Sequence, residues 1–124
     1  FVLLLPAALA LAEPAAVLPT KLTAAEIGPG IFARPETVVT ERTSTLGEYV
    51  SRDLEAFRSR DGHFDAGIYA VEGAHRHTID APYGVNEFMY FLGGGVTVTS
   101  TDGTVTRVDA GEALILPEDW QGVW

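Results

Sequence analysis

The sequence predicts an all-β fold, a single-domain antiparallel barrel or sandwich. Two observations support this prediction. From Thr37 onward, β-type runs recur at intervals of about ten residues and glycine-containing turns separate them. No amphipathic helix interrupts these runs in the second half of the chain. A chain of 124 residues, 47% of them hydrophobic, is long enough for one such domain.

The predicted strands are residues 37–40, 63–71, 87–92, 96–101, 104–108 and 113–116. Asp61-Gly62 and Asp102-Gly103 lie between β-type runs, where Asp-Gly pairs favour tight turns, and a run of three glycines at 93–95 separates two further strands. The sequence does not decide whether residues 46–60 form a helix or a strand. Their apolar residues are spaced by four, four and three positions, which is helical, whereas the family resemblance described below implies a strand.

The first 36 residues are interpreted as two segments that precede the barrel. Residues 1–12 are uncharged and almost wholly apolar, and they end in Ala10-Leu11-Ala12; this pattern predicts the remnant of a secretory signal peptide and a periplasmic or secreted protein. The alternative is a hydrophobic helix packed on the domain. Residues 13–36 are rich in Ala, Pro and Gly and predict an extended arm over the core, with at most one helical turn at 23–27. The start at Phe1 and the stop at Trp124 suggest a fragment at both ends.

Composition excludes several classes of function. The net charge is −9 and no basic cluster occurs, so nucleic acid is not expected as a partner. There is no cysteine, hence no disulfide, thiolate nucleophile, cysteine-bound zinc or iron–sulfur site. The apolar stretch at 1–12 is too short to span a bilayer, so no membrane association is expected after signal removal. A local patch such as Arg58, Arg60 and Arg76 remains available to receive a carboxylate.

Two motifs carry a resemblance to a known family. The first is Tyr83-Gly84-Val85-Asn86-Glu87 followed by an apolar run and Gly93; the second is Gly111, five residues, Pro117, and then Trp120-Gln121-Gly122-Val123-Trp124. Together they resemble the cupin superfamily, in particular the branch of (S)-ureidoglycine aminohydrolase and the ethanolamine-utilisation cupins. The resemblance covers residues 37–124. It implies an antiparallel jelly-roll β-barrel, here incomplete at its C-terminal end, and a homodimer.

The resemblance also implies a metal site, from which this sequence departs twice. In metal-binding cupins the residues corresponding to His75, His77 and Glu87 are ligands of manganese, iron, nickel or zinc, and a second-motif histidine is the fourth. Here nine residues separate His77 from Glu87, more than in the metal-binding pattern, and Gly122 stands at the fourth position. Two alternatives follow: a three-ligand site, or solvated loop histidines with Glu87 as a paired structural carboxylate. His63 is expected at the surface.

Alternation along residues 87–92 places Glu87, Met89 and Phe91 on one face and Phe88, Tyr90 and Leu92 on the other. Because both faces are mostly apolar, the strand is expected to be buried on both sides. Aromatic walls with a few polar groups are typical of small-molecule sites. The candidate ligand-binding residues are Tyr69, Tyr83, Glu87, Met89, Trp120 and Trp124. The alternative is that the aromatic residues belong to the core or to a dimer contact.

Two main functional hypotheses follow. The first is an exported cupin that binds a small polar metabolite in its barrel without catalysis. The second is a metal-dependent enzyme similar to the ureidoglycine aminohydrolase branch, with Glu87 as ligand or general base and His75 and His77 as ligands. A purely structural, dimerising module is a third possibility. Whether the protein is an enzyme is left open.

Overall fold

A computed structural model describes residues 16–124. The predicted signal remnant at 1–12 and the first residues of the predicted arm lie outside this range. Within it, the chain forms one 3₁₀ helix and nine strands. In chain order these are the 3₁₀ helix Pro29–Ala33, β1 (Val38–Ser44), β2 (Gly47–Arg58), β3 (Asp65–Glu72), β4 (Thr78–Ile79), β5 (Glu87–Tyr90), β6 (Gly95–Ser100), β7 (Val105–Asp109), β8 (Ala113–Leu116) and β9 (Gly122–Val123).

The strands form three antiparallel sheets. β1, β2 and β3 make a meander in that order, β4-β9-β6-β7 make the second sheet, and β5 pairs with β8 alone. Every strand pair is antiparallel. This arrangement confirms the predicted all-β fold and is consistent with the cupin jelly roll. None of the helices in the described part of the chain is long and apolar enough to cross a membrane.

The open segment 46–60 is a strand, not a helix. β2 is the central strand of its sheet and pairs with β1 on one side and β3 on the other. Ser51 and Leu54, three positions apart, point to opposite faces and are both buried. The helical spacing of the apolar residues is overridden because pairing on both edges satisfies the backbone groups of β2.

Both predicted Asp-Gly turns are confirmed. Gly62 and Gly103 have φ of 72° and 86°, the left-handed region that favours glycine. In each turn the glycine N–H donates to a serine carbonyl three residues earlier, at 2.9 Å. The Asp102 carboxylate also accepts the Thr104 N–H at 2.8 Å. These contacts are local, which is why the dipeptides predict them.

Residues 16–36, the described part of the predicted arm, contribute one side chain to the core. The turn predicted at 23–27 is present, with the Ile27 N–H donating to the Thr23 carbonyl at 3.0 Å. The 3₁₀ helix that follows was not predicted; it packs on β2 and buries Ile31 to 1% exposure. The other buried apolar residues are Leu54, Val98, Val108 and Leu116.

The β5–β8 pair corrects one expectation. Its inner face carries Glu87, Met89, Leu114 and Leu116, and its outer face carries Phe88, Tyr90, Ala113 and Ile115. The inner face is half-buried or buried, whereas Phe88 and Ile115, which pair directly, are 68% and 67% exposed. The expectation of burial on both sides was therefore wrong. Apolar character alone does not show which face of a two-stranded sheet is packed against the core.

Candidate functional site

Three aromatic side chains converge near the chain's second motif. Tyr83, Trp120 and Trp124, here called the aromatic cluster, have ring centroids 6.2 to 6.5 Å apart. Two of the three pairs meet edge to face, the geometry that aromatic rings favour. Backbone contacts hold the cluster, since the Tyr83 N–H donates to the Trp120 carbonyl at 3.1 Å and Trp124 exchanges two hydrogen bonds with His77.

Trp120 is held by one hydrogen bond from its backbone and one from its side chain. Its backbone N–H donates to the Pro117 carbonyl at 3.0 Å, and its indole Nε1–H donates to the Ser100 hydroxyl at 3.0 Å. A Cβ atom on Gly122 would lie 2.5 Å from Trp120 Cζ2 and closer still to the Thr99 carbonyl oxygen. Gly122 is therefore required here for close packing. The position where the metal-binding pattern has its fourth ligand has no room for any side chain.

A polar pair borders the aromatic cluster. The Tyr83 hydroxyl donates a hydrogen bond to Glu87 Oε2, and both side chains are half-buried. Burial, and after it this hydrogen bond and the charge of Glu87, raise the pKa of Tyr83 above its ordinary value. The phenol therefore stays protonated and donating. Glu87 Oε1 accepts no hydrogen bond from residues 16–124 in this structure.

The remaining predicted ligand-binding residues lie around this pair. Met89 follows Glu87 on the inner face of β5 and is half-buried. Tyr69, on β3, is 61% exposed, and it lies close enough to Tyr83 for its charge to contribute, as the smallest cause, to the raised pKa of Tyr83. The structure thus gathers Tyr83, Glu87, Trp120 and Trp124, with Tyr69 and Met89 beside them.

The histidine side chains do not join the Tyr83–Glu87 pair. His75 stacks on Tyr49 with ring centroids 4.7 Å apart, and His77 is exposed in the segment before β4. His63 is exposed after the Asp61-Gly62 turn, as predicted. Among residues 16–124, no three His, Asp or Glu side chains form a group that could hold a metal ion. His75, His77 and Glu87 as arranged here do not fit the metal centre that the resemblance implies.

A second feature is a cavity of about 460 Å³ between the β3–β4 segment and strands β6 and β9. We call it the Arg76 cavity. Its wall includes Val71, His75, Arg76, Thr97, Thr99 and Trp124. Trp124 thus belongs both to this wall and to the aromatic cluster.

Sequence reasoning missed two residues of these sites. Ser100 anchors Trp120, and Tyr49 orients His75 by stacking. Alternation along β6 places Ser100 on the same face as Val98, but its partner lies 20 residues away along the chain. No local pattern reports a contact of that separation.

Comparison with known proteins places the chain in a family. A search of curated proteins gives no match. The family model of the EutQ-like cupin domain matches residues 58–124, more than half of the chain. The matched range contains both motifs, the aromatic cluster and the Tyr83–Glu87 pair. The predicted membership of the cupin superfamily is confirmed, and the chain belongs to the EutQ-like cupin domain family.

Proposed function

We propose that this cupin binds a small polar metabolite against the aromatic cluster, with the Tyr83–Glu87 pair as the polar end of the site. One observation carries the proposal: three aromatic rings and a hydrogen-bonded tyrosine–glutamate pair meet at one half-buried place. Apolar walls with a few oriented polar groups are typical of small-molecule sites.

The hydrogen bonding of Glu87 indicates what the ligand must supply. Oε2 is occupied by the Tyr83 hydroxyl, and Oε1 accepts no hydrogen bond from residues 16–124. A half-buried carboxylate oxygen is stabilised by a donor. The ligand therefore carries an N–H or O–H group directed at Oε1, and a flat or apolar part that packs on Trp120 or Trp124.

Intrinsic fluorescence tests this proposal directly. The chain has two tryptophans, and both belong to the aromatic cluster. Titration with a panel of small amides, amines and hydroxy compounds should give at least one saturable change in tryptophan emission. Glu87→Gln should weaken that ligand about tenfold, because it replaces a charged acceptor.

Tyr90→Phe is the matched control, since Tyr90 lies on the outer face of β5, away from the pair. It should leave both emission and affinity unchanged. A ligand whose affinity survives Glu87→Gln, or depends equally on Tyr90, would contradict the proposed site.

The metal-dependent enzyme of the aminohydrolase type makes a different prediction for the same variant. With Glu87 as ligand or general base, Glu87→Gln should abolish turnover of a confirmed substrate, whereas in a binding protein it should change only affinity or stability. Metal content per chain, compared with that of a His75→Ala, His77→Ala double variant, separates the two. We favour binding because His75, His77 and Glu87 do not fit a shared centre.

We also propose export and a homodimer. The apolar run at 1–12 supports export. Fractionation of cells that express the full protein tests this, and the protein should be found in the periplasm or the medium.

The exposed outer face of β5 and β8, with Phe88, Tyr90 and Ile115, supports pairing between copies. Light scattering should show a dimer for the wild type and a monomer for the Phe88→Ser, Ile115→Ser double variant.

A further inference from the structure

We infer that the Arg76 cavity is a binding site for a small carboxylate, separate from the site proposed at the aromatic cluster. The two sites share Trp124, but Tyr83, Glu87 and Trp120 do not line the cavity. Thr99 pairs with Val123 and Ser100 pairs with Gly122, so their side chains alternate between the faces of the sheet that contains β6 and β9. Ser100 holds Trp120 on one face, and Thr97, Thr99 and Val123 line the cavity on the other.

The charge of Arg76 is the main observation. Among residues 16–124, the guanidiniums of Arg34, Arg52, Arg58 and Arg107 form ion pairs with carboxylates. The exposed Arg76, like Arg42 and Arg60, forms no ion pair and no hydrogen bond with any residue in that range, and of these three arginines Arg76 alone lines the cavity. The residues that line its cavity include no Asp or Glu. In a chain of net charge −9, this cavity wall carries a cation without a local counter-charge.

A guanidinium of this kind selects its ligand by geometry as well as by charge. Its planar N–H groups match the two oxygens of a carboxylate, which it binds in a bidentate manner. One arginine and no lysine line the cavity, so a single negative charge suffices to neutralise it. These features favour a monocarboxylate.

The rest of the wall fits the remainder of such a molecule. Thr97 and Thr99 line the cavity, and neither side chain makes a hydrogen bond within residues 16–124. Val71, Val123 and Trp124 provide apolar surface, and the stack on Tyr49 fixes His75. A cavity of about 460 Å³ lies within the range of small-molecule sites. The ligand is therefore a carboxylate with a short aliphatic or hydroxylated tail.

Two-dimensional amide NMR of the full chain, titrated with propionate and with its neutral counterpart propionamide, tests the inference. Propionate should shift the amides of Gly73, Thr97 and Thr99 in a saturable manner. Propionamide should bind about tenfold more weakly or not at all, because the charge-assisted hydrogen bonds are lost. Arg76→Gln should weaken propionate by about the same factor.

Arg60→Gln is the matched control, because it removes the same charge from an exposed turn residue that does not line the cavity. It should leave propionate affinity unchanged. Equal effects of Arg76→Gln and Arg60→Gln, or equal binding of propionate and propionamide, would overturn the inference. Glu87→Gln separates the two proposals, since it should impair binding of the aromatic-cluster ligand and leave propionate binding intact.

Thr97→Val, which keeps the charge of the cavity, should weaken the binding of a hydroxylated carboxylate more than that of propionate.

Discussion

The two faces of the β5–β8 pair have nearly the same apolar content and opposite environments. On the inner face Leu116 is 2% exposed, while its neighbour Ile115 on the outer face is 67% exposed. The inner face also carries the only carboxylate of β5, Glu87, which is hydrogen-bonded to Tyr83. The covered face is thus the one with the carboxylate. Burial here follows from what packs against a face, and the half-buried carboxylate of Glu87 is accommodated because the Tyr83 hydroxyl donates a hydrogen bond to it.

The largest expected effect contrasts the two neighbours directly. Leu116→Ala should lower the free energy of unfolding by about 2 to 4 kcal/mol, because it leaves a cavity in the core. Ile115→Ala, measured in a Phe88→Ser background where pairing between copies is removed, should cost about 0.5 kcal/mol or less, because Ile115 is already exposed within one chain. Urea denaturation of both variants measures the difference. Equal losses would contradict the exposure of Ile115 within one chain.

A second prediction tests how tightly the inner side is packed around the aromatic cluster. Gly122→Ala should destabilise the fold by about 1 to 3 kcal/mol, because its Cβ overlaps Trp120 and the Thr99 carbonyl. Gly93→Ala is the control, since a Cβ there meets nothing within 4 Å. Denaturation followed by tryptophan fluorescence reports both stability and the position of Trp120. A tolerated Gly122→Ala would contradict the close approach at this position.

The Tyr83–Glu87 hydrogen bond is expected to contribute less. Tyr83→Phe should cost about 1 kcal/mol, because Glu87 loses its donor in a half-buried place. Tyr90→Phe, on the outer face, should be neutral within error. A loss as large for Tyr90→Phe would remove the distinction between the faces.

The same pair predicts a dependence on alkaline pH. Because burial and the hydrogen bond to Glu87 raise the pKa of Tyr83 above 10.0, the fold favours the protonated phenol. This contribution is complete below pH 10 and is lost as the pH rises through the raised pKa. Absorbance titration should show one tyrosine that ionises later in the folded chain than in urea. Tyr83→Phe should abolish that late step.

The smallest effect concerns the arm that covers β2. Hydrogen bonds from the Thr23 backbone and hydroxyl and from Arg34 lower the pKa of Glu26 from 4.5 to about 2. The ionised form is therefore favoured in the folded arm, and its contribution is lost as the pH falls from 4.5 towards 2. Hydrogen exchange at residues 23–34 should accelerate in Glu26→Gln and stay unchanged in Glu36→Gln. Equal protection in both variants would contradict a stabilising role of the Glu26 contacts with Thr23 and Arg34.

Sequence reasoning succeeded for the features that depend on neighbouring residues. The strands, the Asp61-Gly62 and Asp102-Gly103 turns and the alternation along β5 follow from local backbone preferences. Tyr83, Glu87, Trp120 and Trp124 were proposed as ligand-binding residues because aromatic walls with a few polar groups are typical of such sites; the structure brings the four together, and their role in binding stays a prediction. The short strands β4 and β9, two residues each, were missed because two residues carry no periodicity.

The sequence by itself determined the fold class, the turns and the residues available for chemistry, because these depend on backbone preference and composition. Tertiary structure decided between helix and strand for 47–58 and left the outer face of β5 exposed. It separated Arg76, which has no ion pair within residues 16–124, from Arg58, which pairs with Glu55 and Asp65. It also separated His75 from Glu87 and gave Trp120 the space beside Gly122. These outcomes depend on contacts between residues distant along the chain, whose free energies no local pattern contains.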